Sequence, residues 1–123
     1  MANRKKNQNF SLNSYAKINL YLDILERRND GFHEIKTLFS QIDLKDTINF
    51  TLTKRSTVQI LTNYDFVNIE DNIIYRVTLF IKNKYCVDSG VKIELNKGIP
   101  VAAGLGGGSS NAAQTILGLP SLW

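Results

Sequence analysis

The chain has 123 residues, a length that suits one modest domain or a piece of a larger protein. Its 43% hydrophobic and 21% charged residues argue for a packed globular core, and it lacks any apolar run long enough for a membrane-spanning helix or a signal segment near Met1. The single cysteine, Cys86, excludes an internal disulfide and favours a reducing, cytoplasmic setting; with His33 as the one histidine, no zinc site is expected and no metal ligands are assigned. The formal net charge is +4. Arg4, Lys5 and Lys6 place part of it in a solvated tail, and the remaining basic residues are spread out. That distribution suits an anionic small substrate at least as well as a nucleic acid, which wants a basic face with interleaved aromatics.

Residues 1–12 show no clear period and read as a flexible tail. From Ser14 the pattern alternates strictly. Ala16, Ile18, Leu20, Leu22 and Ile24 fall on one face and are expected in the core. Tyr15, Lys17, Asn19, Tyr21 and Asp23 fall on the other. Lys17 and Asn19 are thus neighbours on one face, about 6.6 Å apart along the strand. That face either lines a site, with Lys17 supplying positive charge, or is an ordinary solvent side.

Glu26 to Gly31 is a polar turn, with Asp30-Gly31 a tight-turn pair. Phe32-His33 follows; the pair can stack on and hydrogen-bond a planar base, or pack half-buried. Ile35 to Leu44 reads as a second extended stretch, Lys45-Asp46 as the next turn, and Thr47 to Thr53 as a further strand. Val58 to Leu61 is another. Successive strands joined by short turns imply an antiparallel sheet. Asn63 to Asn72 reads as a loop, with Asp71 the expected N-cap of a helix carrying Ile73, Ile74, Val77, Phe80, Ile81 and Tyr85 on its inner face. Cys86, late in that helix, is expected to be a small buried apolar residue. Val91, Ile93 and Leu95 mark one more strand. The order of elements gives an α+β fold.

That strand delivers the chain to its most distinctive stretch. Five of the eight glycines lie between Gly98 and Gly108. Ser109 to Leu117 then reads as a helix that Gly118-Leu119-Pro120 interrupts. A Gly-rich turn feeding a helix N-terminus offers free N–H donors and the positive end of a dipole, a ready phosphate site. The hydroxyls of Ser109 and Ser110 can add contacts to phosphate or Mg²⁺. The loop is not a Walker A motif, because it contains no lysine, and Ser109 stands where the third glycine of a dinucleotide fingerprint belongs. A plain flexible connection is the alternative.

Taken together, Tyr15-Ala16-Lys17-Ile18-Asn19-Leu20, Arg28-Asn29-Asp30-Gly31-Phe32-His33, Thr37-Leu38-Phe39, Asp46-Thr47-Ile48 and Pro100 through Ala113 resemble the GHMP kinase superfamily. Within it, they resemble the diphosphocytidyl-methylerythritol kinase family. The resemblance covers nearly all of residues 14–117. It implies a GHMP kinase N-terminal domain over residues 1–123, of the kind called ribosomal protein S5 domain 2-like: an antiparallel or mixed sheet with helices on one face. It also implies transfer of the γ-phosphoryl group of ATP, with Mg²⁺, to the 2-hydroxyl of a cytidine-diphosphate-linked methylerythritol, in the non-mevalonate route to isoprenoid precursors.

By that resemblance Lys17 is catalytic, lowering the pKa of the accepting hydroxyl and stabilising developing charge. Asn19, Phe32 and His33 bind substrate, with Phe32 standing where tyrosine is more usual. Lys97 lies near the adenine. Pro100, Val101, Ala102, Ala103, Gly104, Leu105, Gly106, Gly107, Gly108, Ser109 and Ser110 form the ATP phosphate loop, with Ala102 and Ala103 replacing commoner glycines. The partners implied are this small molecule, no nucleic acid and no membrane; a homodimer is compatible. Family members run to more than twice this length, and the general base lies in a segment absent here. The chain is therefore expected to be a truncated portion, nearly inactive alone. A kinase with another acceptor (homoserine or a mevalonate derivative) and a non-catalytic remnant are the alternatives.

Overall fold

The computed structural model describes residues 8–65 and 68–123. The basic tail residues Arg4, Lys5 and Lys6 lie outside that range. The described elements are β1 Asn9–Arg27, β2 His33–Thr53, β3 Val58–Thr62, a 3-10 turn Ile69–Asp71, α1 Ile73–Lys84, β4 Gly90–Asn96 and α2 Gly107–Leu122. The sheet order is β1-β2-β4-β3. β2 pairs antiparallel with both β1 and β4, while β3 runs parallel to β4. The α+β class stands. The sheet is mixed rather than wholly antiparallel because α1 carries the chain back to start β4 beside β3 in the same direction.

Alternation along the strands builds the core. Ile48 and Phe50 of β2 and Val91, Ile93 and Leu95 of β4 meet Ile74 of α1 and Leu119 and Leu122 of α2, all buried. Phe10 stacks on Phe50 with ring centroids 5.1 Å apart. Phe10 and Leu12 both pack against this cluster. Residues 9–12 are therefore strand, not tail: two aromatic or aliphatic side chains outweigh the polar Asn9 and Ser11 between them.

Two further expectations on the first strands fail. Lys45-Asp46 is no turn, since β2 runs unbroken through it and Asp46 is fully buried. And of the expected core face of β1, only Ala16 is buried. Leu20, Leu22 and Ile24 are half or more exposed, as are Tyr21, Ile35, Leu38 and Phe39. Beyond Lys17 and Gln41 the two strands leave the helices behind and project as a two-stranded arm. Alternation reports which side chains share a face; it does not report whether another layer covers that face. Register slips at Tyr15/Lys17, Asn19/Tyr21 and Ile24/Arg27 further break the simple phase.

The helices also depart from expectation. The N-cap of α1 is Asn72, whose Oδ1 accepts from the Ile74 amide at 2.9 Å; Asp71 sits in the preceding 3-10 turn. Ile74 and Thr78 form the buried stripe, whereas Phe80 and Tyr85 are 64% and 69% exposed. Cys86 lies beyond the helix end, exposed, at φ 50°. α2 continues through Gly118 and Pro120 to Leu122 because Leu119 and Leu122 are completely buried and hold the last turn in the core.

Gly118 is a contact point rather than a break. A Cβ there would stand 3.1 Å from Leu12 Cδ1 and 3.2 Å from the Phe50 ring. Alanine improves helix propensity by about 1 kcal/mol, but overpacking a rigid seam costs about 1–3 kcal/mol. Gly118→Ala is expected to lower stability by up to about 2 kcal/mol, read as a lower urea midpoint; an unchanged midpoint would show that the seam yields.

Candidate active site

The site is assembled from two helix N-termini and one strand. After β4, the chain passes Lys97 to Ile99 and turns through Pro100 to Leu105 into α2. Gly106 is the N-cap of α2 at φ 70°, a left-handed conformation that glycine adopts without penalty. No side chain caps this helix. Its first-turn amides have no carbonyl one turn back within the helix. They make up the positive end of the helix dipole and offer an anion cradle.

A cavity of about 440 Å³ lies at this mouth, within the usual range for small-molecule sites. Lys97, Pro100 to Ser109 and Asn111 line one side, and Asp71 to Ile74, the start of α1, line the other. Two helix N-termini thus converge on one space. Ala102 also holds a positive φ of 58°. A non-glycine residue there carries strain of about 1–2 kcal/mol, so Ala102 holds this loop shape at some cost.

Lys17 meets this loop directly. Its main-chain N–H donates to the Leu105 carbonyl at 2.9 Å. Its aliphatic stem runs over Gly106, with Cγ 3.1 Å and Cε 3.3 Å from where a Cβ would stand. Its Nζ donates to Asn19 Oδ1 at 3.2 Å, so the two polar side chains of the β1 face are joined. Lys17 is not part of the cavity wall; it stands beside the loop, half-buried. Lys97 does line the wall, and its ammonium is paired with Asp46 Oδ2 at 2.5 Å. Ser109 is exposed and Ser110 half-buried in the first turn of α2.

Phe32 and His33 are not brought to this cluster. They sit at the end of the arm, where His33 pairs with Arg27 and Phe32 is 75% exposed. Ten residues of strand from Lys17 to Arg27 span at most about 33 Å, and the register slips in between bend and shorten that path. The turn itself is held by Asp30 Oδ1 accepting the Phe32 amide at 3.1 Å and by an Arg28–Asp30 ion pair at 2.9 Å.

Two wall residues escaped the sequence reading. Asn72 and Asn111 are 2% and 3% exposed, and Asn72 Nδ2 and Asn111 Oδ1 have no hydrogen-bond partner. A buried unpaired donor and acceptor on the two sides of one cavity are costly unless a ligand completes them. The Asn72-Ile73-Ile74 start of a helical period was the signal for the first. Nothing in the sequence marks Asn111 apart from its place one turn into α2. Among the described residues no group of three or more His, Cys, Asp or Glu is placed to hold a metal ion, and no helix is long and apolar enough to cross a membrane.

Comparison with known proteins gives this architecture a class. A family profile described as GHMP kinases N terminal domain matches residues 72–123. The 4-diphosphocytidyl-2-C-methyl-D-erythritol kinase of Colwellia psychrerythraea is 47% identical over 110 residues, covering 89% of this chain and 37% of its own length. A crystal structure of 4-(cytidine 5'-diphospho)-2C-methyl-D-erythritol kinase superposes with TM-score 0.76 at 36% identity, covering 93% of this chain and 41% of that one. A homoserine kinase from Cytophaga hutchinsonii shares the fold, with TM-score 0.65 at 19% identity, covering 99% of this chain and 37% of that one. The chain carries the GHMP kinase N-terminal domain fold. Within that class its sequence matches the N-terminal part of the 4-diphosphocytidyl-2-C-methyl-D-erythritol kinases, and it spans 37% to 42% of the length of the curated relatives it matches.

Proposed function

We propose that the protein transfers the γ-phosphoryl group of ATP to the 2-hydroxyl of 4-diphosphocytidyl-2-C-methyl-D-erythritol, a cytoplasmic step toward isoprenoid precursors. The observation that carries this reading is the contact of Lys17 with the amide cradle, through Leu105 and Gly106. Phosphoryl transfer is mostly positioning and charge stabilisation. The amides from Gly106 to Ser109 would hold the triphosphate; that of Ser110 already donates to the Gly106 carbonyl at 2.9 Å. Lys17, beside them, would face the accepting alcohol and stabilise charge as its proton leaves. Asn19 fixes the Lys17 ammonium through the 3.2 Å bond and would contact substrate.

Mg²⁺ in such sites keeps several waters and is otherwise held by substrate phosphates and one or two carboxylates, and a loop hydroxyl serves as a ligand in P-loop enzymes. The Ser109 and Ser110 hydroxyls would supply that contact; no group of three or more His, Cys, Asp or Glu among the described residues is placed to add to it. When bound, the ion neutralises phosphate charge. Lys97, Asn72 and the loop from Pro100 to Leu105 would surround the rest of the nucleotide. Phe32 and His33 remain the proposed clamp for the cytosine ring, which requires the bent arm to carry them over the substrate. By family resemblance the general base belongs to a segment outside this chain.

Identity of 36% to the solved cytidine-diphosphate-methylerythritol kinase, against 19% to the homoserine kinase, supports this acceptor over homoserine. The test is ADP release by the full-length protein offered each acceptor in turn. Turnover is expected with the cytidine-diphosphate-linked methylerythritol alone. Preferred turnover of homoserine or mevalonate would overturn the acceptor assignment, and turnover of none would overturn the kinase reading.

A further inference from the structure

Asp46 is the one acid in the inward set Ile42, Leu44, Asp46, Ile48 and Phe50 of β2, and it is 0% exposed. A carboxylate in that setting needs a full set of partners. All of them belong to the entry of the phosphate loop. Oδ2 accepts from Lys97 Nζ at 2.5 Å, and Oδ1 accepts from the amides of Gly98 and Ile99 at 2.8 Å each. The main chain of Lys97 is pinned separately by Asn63, which accepts its N–H at 2.7 Å and donates to its carbonyl at 3.3 Å.

The Lys97 side chain is only 11% exposed. Its Nζ lies 3.2 Å from where a Cβ on Gly107 would stand, so the ammonium sits at the mouth of α2 with one of its three donors already committed. Its charge is offset by Asp46. A free ammonium here would be drawn toward the phosphates in the cradle. A paired one is held back and offers directed N–H groups to the cavity instead.

We infer that Asp46 is a positioning residue for the nucleotide: it fixes Lys97 as a directed hydrogen-bond donor on the cavity wall and sets the path of residues 97–99 into the loop. The inference rests on nucleotide binding in this cavity, as the proposed reaction requires. Asp46 itself does not line the cavity and acts through Lys97.

The test uses the full-length protein, with ADP affinity measured by calorimetry and stability by thermal melting. Asp46→Asn leaves the buried ammonium without its counter-charge and should both lower the melting temperature and weaken ADP at least tenfold. The double variant D46N/K97M removes both charges, and replacing a buried pair by uncharged groups is often close to neutral for stability. It should melt near the parent yet bind ADP at least tenfold more weakly because the Lys97 donor is gone, so the positioning role of Asp46 is read from Asp46→Asn, which keeps the lysine. In turnover, the loss in Asp46→Asn should fall on KM for ATP rather than on kcat. Parent-like ADP affinity in either variant would overturn the inference; should Asp46→Asn fail to fold, Asp46→Glu, which keeps the charge but displaces it by one methylene, takes its place with the same expected weakening of ADP. A parent protein that binds no ADP at all would instead overturn the proposed reaction, and this inference with it.

Discussion

Lys17→Ala in the full-length protein is expected to lower kcat by about 10²–10³-fold, the usual cost of removing one preorganised group that stabilises developing charge. ATP affinity should change by less than about threefold, because the bond from the Lys17 amide to the Leu105 carbonyl is main-chain and survives the substitution. Lys17→Arg should not rescue. The guanidinium is larger and planar and cannot donate as a compact point charge. Steady-state kinetics over a range of ATP concentrations, at saturating acceptor, separates the outcomes. A Lys17→Ala protein with parental kcat would remove the lysine from the reaction, and one with a parental kcat but a raised KM for ATP would make it a nucleotide ligand.

The second large effect is expected at Gly106. Valine there would have to adopt φ near 70°, where a β-branched side chain is a genuine outlier. Left-handed strain alone is about 1–2 kcal/mol, near tenfold in binding. The new side chain would also displace the Lys17 stem, which any Cβ meets at 3.1 Å and 3.3 Å. Gly106→Val is therefore expected to raise KM for ATP by about 10²-fold and to lower kcat as well, through Lys17. Gly106→Ala should be the milder member of the series, near tenfold in KM. Equal and small effects from both would mean that the cradle does not depend on this residue's conformation.

The contrast between Lys17 and Asp46 shows how far residue patterns reach in this chain. Lys17 and Asn19 lie on one strand face by period two alone, and the 3.2 Å contact between them is a local consequence. The loop-to-helix transition at Gly106 is likewise written in the run of glycines before Ser109. Asp46 obeys the same alternation as Ile48 and Phe50, but a charged residue after a lysine looks like a turn. Only the approach of Lys97, Gly98 and Ile99, from more than fifty residues away, makes its burial affordable. The reverse holds on the arm. Leu20, Leu22 and Ile24 carry a core pattern, yet no helix among the described residues buries them. In α2, Pro120 argues for a stop, and the burial of Leu119 and Leu122 overrides it. Local period is local information, whereas burial depends on which distant layer arrives.

The central claim is that the mouth of α2 cradles the triphosphate with Lys17 beside it. The most direct measurement follows backbone amide resonances of the isotopically labelled protein as a non-hydrolysable ATP analogue and Mg²⁺ are added. The largest shifts are expected at Gly104 to Ser110, with a smaller one at the Lys17 amide through its bond to Leu105. Saturable binding with shifts confined to other residues, leaving Gly106, Gly107 and Gly108 unmoved, would contradict it.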